Sequence, residues 1–218
     1  MSVLARFALG VRVLLALAVL ALGLVCLGAA WWSDAKQSVQ QILLERAWTR
    51  ARAGAADTRP WPWADFHPVA KLTVLGGAEQ LIVLEGNARH LEFGPSHQLG
   101  TVLPGESGNS IIVGDRDTHF RFLRELRTGD RLRVDLADGR SEYFQVANWR
   151  IVDRRHWRMP SHVEATRLTL VTDYPFDALM PGGPLRFVVT ADWIAGAGNV
   201  PAATAARAAG PPPRIAGG

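Results

Sequence analysis

Polar and apolar positions change rhythm three times along the chain. Residues 13–32 (VLLALAVLALGLVCLGAAWW) run for twenty positions without a charge. At about 1.5 Å per residue a helix of that length spans roughly 30 Å, the depth of a bilayer core. Residues 34–53 (DAKQSVQQILLERAWTRARA) contain neither Pro nor Gly and repeat apolar side chains near helical spacing, which predicts a helix leading away from the membrane. Pro60, Pro62 and Pro68 then interrupt the chain, with Trp61 and Trp63 between them; 54–68 read as a linker that packs its tryptophans on the domain that follows. Beyond Pro68 the period shortens to that of strands. Candidates are 71–75 and 80–84 on either side of Gly76-Gly77, 110–113, 131–136 and 142–152 on either side of Asp138-Gly139, 167–171 and 185–190. A short helix is expected over 118–126 (THFRFLREL). Many short strands separated by turns point to an all-β fold, a closed or nearly closed barrel. Residues 194–218 are mostly Ala, Gly and Pro with little to bury, and are expected to be disordered.

The uncharged segment reads as an uncleaved transmembrane helix rather than a signal peptide, because twenty residues exceed the usual signal core and Trp31-Trp32 suit an interfacial belt. Arg6 and Arg12 precede it, while Asp34 and Lys36 follow. The positive-inside rule then keeps 1–12 cytoplasmic and puts the rest on the periplasmic side of the inner membrane, anchored through 13–32. The expected organisation is therefore an N-terminus over 1–12, a membrane helix over 13–32, a helical stalk and linker over 33–59, a barrel over 60–193 and a tail over 194–218.

Charge narrows the partners. Of the 24 Lys and Arg, two lie before the membrane segment, so residues 33–218 carry 22 against 20 Asp and Glu. That balance is too even for a phosphate-binding surface, and nucleic acid is set aside. The one cysteine, Cys26, falls inside the apolar segment. It excludes an internal disulfide framework and any zinc site built from several thiolates.

Candidate chemistry is sparse when the residues are read alone. There is no glycine-rich phosphate loop, no HExxH and no GxSxG, and His67, His90, His97, His119, His156 and His162 are scattered. Asp115 and His119 are four apart and would share a face of a helix, but two ligands do not make a metal site and an exposed pair is the plainer account. No metal and no cofactor are called for. Trp149, Trp157 and Trp193 read as barrel-packing residues, Asp117, Thr118 and Phe120 as the cap and anchor of the short helix, and Asp177 as a turn residue.

Two segments are more distinctive than composition produces: LPGESGNSIIVGDRDTHFRFLREL over 103–126 and RLTLVTDYPFDALMPGGPLRFVVTADW over 167–193. With PWPWADFHPVAKL and LEFGPSHQLG, they make the chain from about Pro60 through Trp193 resemble a sortase, specifically the Gram-negative (class GN) kind. The order of membrane helix, proline-tryptophan linker and barrel is similar too. The resemblance implies an eight-stranded β-barrel with short helices and a membrane-anchored cysteine transpeptidase. Such an enzyme cleaves a sorting-signal peptide of a client surface protein and passes the acyl group to an amine. Its chemistry needs a thiolate nucleophile, a His that moves the proton, and an Arg that stabilises the oxyanion.

Two of those three positions differ here. Asp115 stands where the resemblance places the His, Asp173 where it places the Cys, and Arg186 keeps the third position. His119 belongs to the family segment in its own right. His119, Thr172, Tyr174 and Gly183 are the implied peptide-binding residues. Three functions remain open. The barrel could bind the sorting-signal peptide without chemistry. Asp115 and Asp173 could share a proton and activate water as a peptide hydrolase, with Arg186 neutralising the oxyanion. Or the aspartates could pair with Arg186 and neighbouring donors such as Arg116 in a structural ion network, since two carboxylates alone make a weak cation site.

Overall fold

The computed structural model describes residues 19–21, 23, 39–86, 90–158, 160, 163–178, 180 and 182–195. The chain divides into two compact units, one ending at Ile42 and the other beginning at Leu43. Of the first unit, 19–21, 23 and 39–42 are helical. The expected membrane segment otherwise lies outside the described residues, as do 196–218 of the expected tail. Among the described residues no helix is long and apolar enough to cross a membrane.

The second unit is a closed barrel of eight strands: β1 (His67–Val74), β2 (Gln80–Gly86), β3 (Ser96–Gln98), β4 (Asn109–Val113), β5 (Arg131–Leu136), β6 (Ser141–Asp153), β7 (Arg167–Asp173) and β8 (Leu185–Trp193). Around the barrel they run β1-β2-β3-β4-β7-β8-β6-β5. Two neighbour pairs, β2 with β3 and β4 with β7, are parallel. Alternation along the strands fills the interior. Leu72 of β1, Ile112 of β4, Val134 of β5, Phe144 of β6, Leu168 and Leu170 of β7, and Phe187 and Val189 of β8 meet in one core closed by Phe120 and Leu123.

β7 is buried on both faces. Leu168 and Leu170 point inward, while Val171 joins Ile111 of β4 and Val188 of β8 outside the barrel, with Val113, Val152 and Trp157 packed against them. That double burial is why residues 168–172 read as an unbroken apolar and threonine run rather than an alternating one.

Several expectations change at the edges. Helical residues 43–52 do not stand off from the barrel. Leu44, Trp48 and Ala51 are buried with Ala64, Phe66, Ile82 and Leu84, so the compact domain starts well before Pro60. The linker tryptophans divide: Trp61 makes edge contacts with Phe66 and Phe93, whereas Trp63 is 82% exposed. The expected helix over 118–126 is a turn over 116–120 followed by a 3-10 helix, Arg121–Glu125. Its N-cap residue, Phe120, makes no side-chain capping bond and instead anchors the turn by complete burial. Trp193 is 42% exposed and donates its indole N–H to Glu142 at 2.7 Å, so it braces the outside of β6 rather than filling the core. Trp149 does pack inward, stacked on Phe187, and Trp157 covers the outer cluster.

Candidate functional site

The candidate site lies where β4 and β7 end and β8 begins. β4 and β7 run parallel with Val113 opposite Val171, and Gly114 continues the ladder by donating its N–H to the Val171 carbonyl at 3.0 Å. The Thr172 hydroxyl returns a bond to the Gly114 carbonyl at 2.8 Å. Position 114 also needs its glycine, because a Cβ there would collide with the Phe120 ring. These contacts fix Asp115, one residue on, relative to Asp173, the last residue of β7. Asp173 in turn pairs across to Arg186 on β8.

Asp115 organises its own turn. Its Oδ1 accepts from the N–H groups of Asp117 and Thr118 and from the Thr118 hydroxyl, each at 2.9 Å. The same hydroxyl lies 3.0 Å from Nδ1 of His119, so Thr118 bridges the expected Asp115–His119 pair. Burial pushes the His119 imidazole down from its ordinary value, against the opposing pull of the Asp115 charge and a bond to the Leu91 carbonyl. Among the described residues no three His, Cys, Asp or Glu side chains converge to hold a metal ion.

Asp173 forms an ion pair with Arg186, Nη1 to Oδ1 at 3.1 Å, with the side chains 34% and 18% exposed. The same Nη1 donates to the carbonyls of Gly183 at 2.7 Å and Leu185 at 2.8 Å. Arg186 is therefore held by three acceptors, and Gly183 contributes its backbone oxygen to that hold. Both carboxylates thus have donors of their own, whereas a proton-sharing dyad uses each carboxyl as the other's partner.

Arg116 departs from the expected ion network. It is 5% exposed and donates to the carbonyls of Pro175 at 2.7 Å and Ala178 at 3.0 Å, while pairing with Asp117 at 3.2 Å. The guanidinium fastens the loop after β7 to the turn after β4 instead of joining Asp115 to Asp173.

Two of the expected binding residues are occupied with structure. Thr172 is 1% exposed and spends its hydroxyl on Gly114, so it positions the site from behind. Tyr174 packs into the barrel mouth against Phe176 and Phe187, and its peptide bond to Pro175 is cis. Beside Asp173 and Arg186 the outer cluster of Ile111, Val171 and Val188 is buried, and Val113, Val152 and Trp157, packed against it, are partly exposed. The sequence signal for this second cluster was the unbroken run in β7, which implies burial on both faces.

A sortase-domain family model matches residues 72–194, more than half of the chain. The chain is similar to sortase D of Bacillus subtilis (strain 168), 34% identical over 112 residues that make up 50% of this chain and 56% of that protein. It thus spans little more than half the length of that curated relative. Among solved structures, the sortase D5 transpeptidase of Clostridium perfringens superposes with a TM-score of 0.57 at 19% identity, over 72% of this chain and 99% of that one. Sortase A of Corynebacterium diphtheriae gives 0.54 at 18% identity, over 72% of this chain and 85% of that one. At those identities the structural likeness is one of fold.

Proposed function

The chain belongs to the sortase family, and from that premise we propose that it is a membrane-anchored receptor of the Gram-negative (class GN) kind that binds a sorting-signal peptide of a client surface protein without cleaving it. The observation that carries this reading is the state of the two reactive positions. Asp173 is engaged by Arg186 and Asp115 by three donors of its own turn. Neither group offers a thiolate, and the one cysteine of the chain is Cys26, in the segment proposed to cross the membrane. A carboxylate attacking an unactivated amide expels the amine poorly and yields a reactive anhydride, so acyl transfer through a stable enzyme intermediate has no nucleophile here.

The part-exposed side chains of Val113, Val152 and Trp157, together with Arg186 beside them, supply apolar contact and a cation for a bound peptide, with Val152 directly opposite Arg186 across β6 and β8. Anchoring through 13–32 would hold the barrel on the periplasmic side of the inner membrane, where the sorting signals of surface proteins emerge.

The test incubates the full chain, in detergent micelles, with a library of candidate sorting-signal peptides across pH 4–8, followed by mass spectrometry. Peptides that stay intact and remain bound support the receptor. Cleavage that is lost in Asp173→Asn and is insensitive to thiol-blocking reagents would replace it with an aspartate-dependent hydrolase.

A further inference from the structure

The arginines of the barrel are mostly neutralised. Arg59, Arg116, Arg124, Arg133, Arg140, Arg155, Arg167 and Arg186 each lie within ion-pair distance of a carboxylate. Among the described residues Arg121, Arg127 and Arg131 stand without such a partner one by one along the chain, whereas one stretch gathers several together. Between Trp149 and Arg158 the chain reads WRIVDRRHWR, with four arginines and a histidine against one aspartate. Asp153 is taken by Arg155 at 2.8 Å. Among the described residues no carboxylate lies within ion-pair distance of Arg150, Arg154 or Arg158, and all three are exposed.

This cationic turn is built rather than loose. The N–H groups of His156 and Trp157 donate to the Asp153 carbonyl at 3.0 and 2.9 Å, and the Arg154 N–H donates to the Pro184 carbonyl at 2.9 Å. The Arg150 guanidinium stands 5.2 Å from the centre of the Trp157 ring, which holds its charge at the rim of the apolar cluster. Pro184 lies two residues before Arg186, and Val152 pairs directly with Arg186 across β6 and β8. The unpaired cations therefore lie next to the strand end that carries Arg186.

We propose that the end of β6 and the turn after it, through Arg150, Arg154 and Arg158, are a docking surface for an acidic peptide segment, supplied by the client next to the stretch that reaches Arg186. This rests on the peptide-receptor reading for the source of the segment, but not for the binding itself. Charge complementarity selects the occupant: three exposed guanidiniums with no carboxylate of their own attract carboxylates and steer their approach. The overall charge balance of residues 33–218 leaves this turn as a local cationic feature on a nearly neutral domain, unlike the broad basic face that a membrane or nucleic acid needs.

Fluorescent hexaglutamate and hexaglutamine peptides, titrated against the full chain in neutral detergent and followed by anisotropy, test the surface directly. Hexaglutamate should bind and hexaglutamine should not, with affinity falling as salt rises. Replacing both Arg154→Glu and Arg158→Glu should weaken hexaglutamate binding at least about tenfold. The same charge change at Arg46→Glu and Arg52→Glu, on the helix, should leave it unaltered, with thermal melting confirming that both variants fold. Equal binding of the two peptides, or equal loss in both double variants, overturns the proposal. Binding of phosphatidylglycerol vesicles in place of hexaglutamate overturns it in favour of a lipid. Because hexaglutamate carries no sorting motif, failure here is distinct from failure of the receptor reading, which the library experiment judges.

Discussion

Asp173 and Arg186 face each other across the last register position of β7 and β8, and their ion pair is the hinge of the site: the same guanidinium nitrogen that holds the carboxylate also holds the carbonyls of Gly183 and Leu185. Removing the cation should therefore disturb more than one charge. In Arg186→Ala, Asp173 loses its partner and the segment 183–185 loses its tether. Since both side chains are partly exposed, the cost in stability should be about 1 kcal/mol or less in urea denaturation. Peptide binding should fall much further than stability does. Unchanged peptide affinity in a folded Arg186→Ala variant would place the recognised peptide elsewhere.

Arg116 should matter more to the fold than Arg186. It is buried and makes charge-assisted bonds to two carbonyls of the loop after β7, and among the described residues no other side chain donates to them. Arg116→Ala is expected to destabilise by about 2–4 kcal/mol. Arg116→Lys should recover little, because an ammonium cannot reproduce a guanidinium spread over Pro175, Ala178 and Asp117. Hydrogen exchange at residues 176–178 should accelerate in both variants; native-like protection in Arg116→Ala would show that the loop is held by other means.

Gly114 joins the two ends of the site with no room for a side chain. Gly114→Ala should destabilise by about 1–3 kcal/mol as Phe120 is forced from its place, read as a lower denaturation midpoint at constant slope. A midpoint equal to that of the native chain would mean the turn over 116–120 can move as a unit.

The pH dependence of stability carries the mark of His119. Burial lowers its folded value below the 6.5 of the free side chain. Above that value both the folded and unfolded states hold it neutral and it contributes no slope. As pH falls below 6.5 the unfolded chain takes up the proton first, so stability declines until the folded imidazole is protonated as well. This group alone can account for at most about 1.4 kcal/mol per pH unit. His119→Gln should flatten the decline between pH 6.5 and 5, measured by chemical denaturation at each pH; a decline identical to the native one would assign it to other groups.

What could be read in advance follows from what each signal depends on. Long apolar or alternating runs such as 80–84, 131–136 and 167–171 found their strands because the pattern is local. β3 went unread because Ser96–Gln98 is three polar-looking residues whose strand state comes wholly from β2 and β4 on either side. β1 begins at His67 despite Pro68, since a bulge between Pro68 and Ala70 absorbs the missing ladder bond. The resemblance, a matter of motif, singled out Asp115, Asp173 and Arg186, and the β7–β8 ladder brings the last two together. The partners of Arg116 were not, because nothing in its local sequence states that a loop some sixty residues on closes over it.

The reading of the site as a receptor also predicts how chemistry could be put back. Arg186 pairs with Asp173, Ile111, Val171 and Val188 pack together beneath them, and the Gly114–Thr172 bond ties the segment leading into Asp115 to the end of β7 that carries Asp173. Installing Asp115→His together with Asp173→Cys supplies a nucleophile and a proton carrier where the family resemblance requires them. The first replacement forfeits the three bonds that Asp115 accepts, so the double variant should be less stable than the native chain by about 1–3 kcal/mol. It should nonetheless cleave a bound sorting-signal peptide, with activity abolished by thiol-blocking reagents and absent from Asp115→His alone. Asp173→Cys alone should react with such reagents but turn over little, because a thiol without its base is mostly protonated at neutral pH. If the double variant folds, binds peptide and leaves it intact, the side chains at 115 and 173 are not what withholds cleavage, and the reading of the site as a receptor that lacks only those two groups fails.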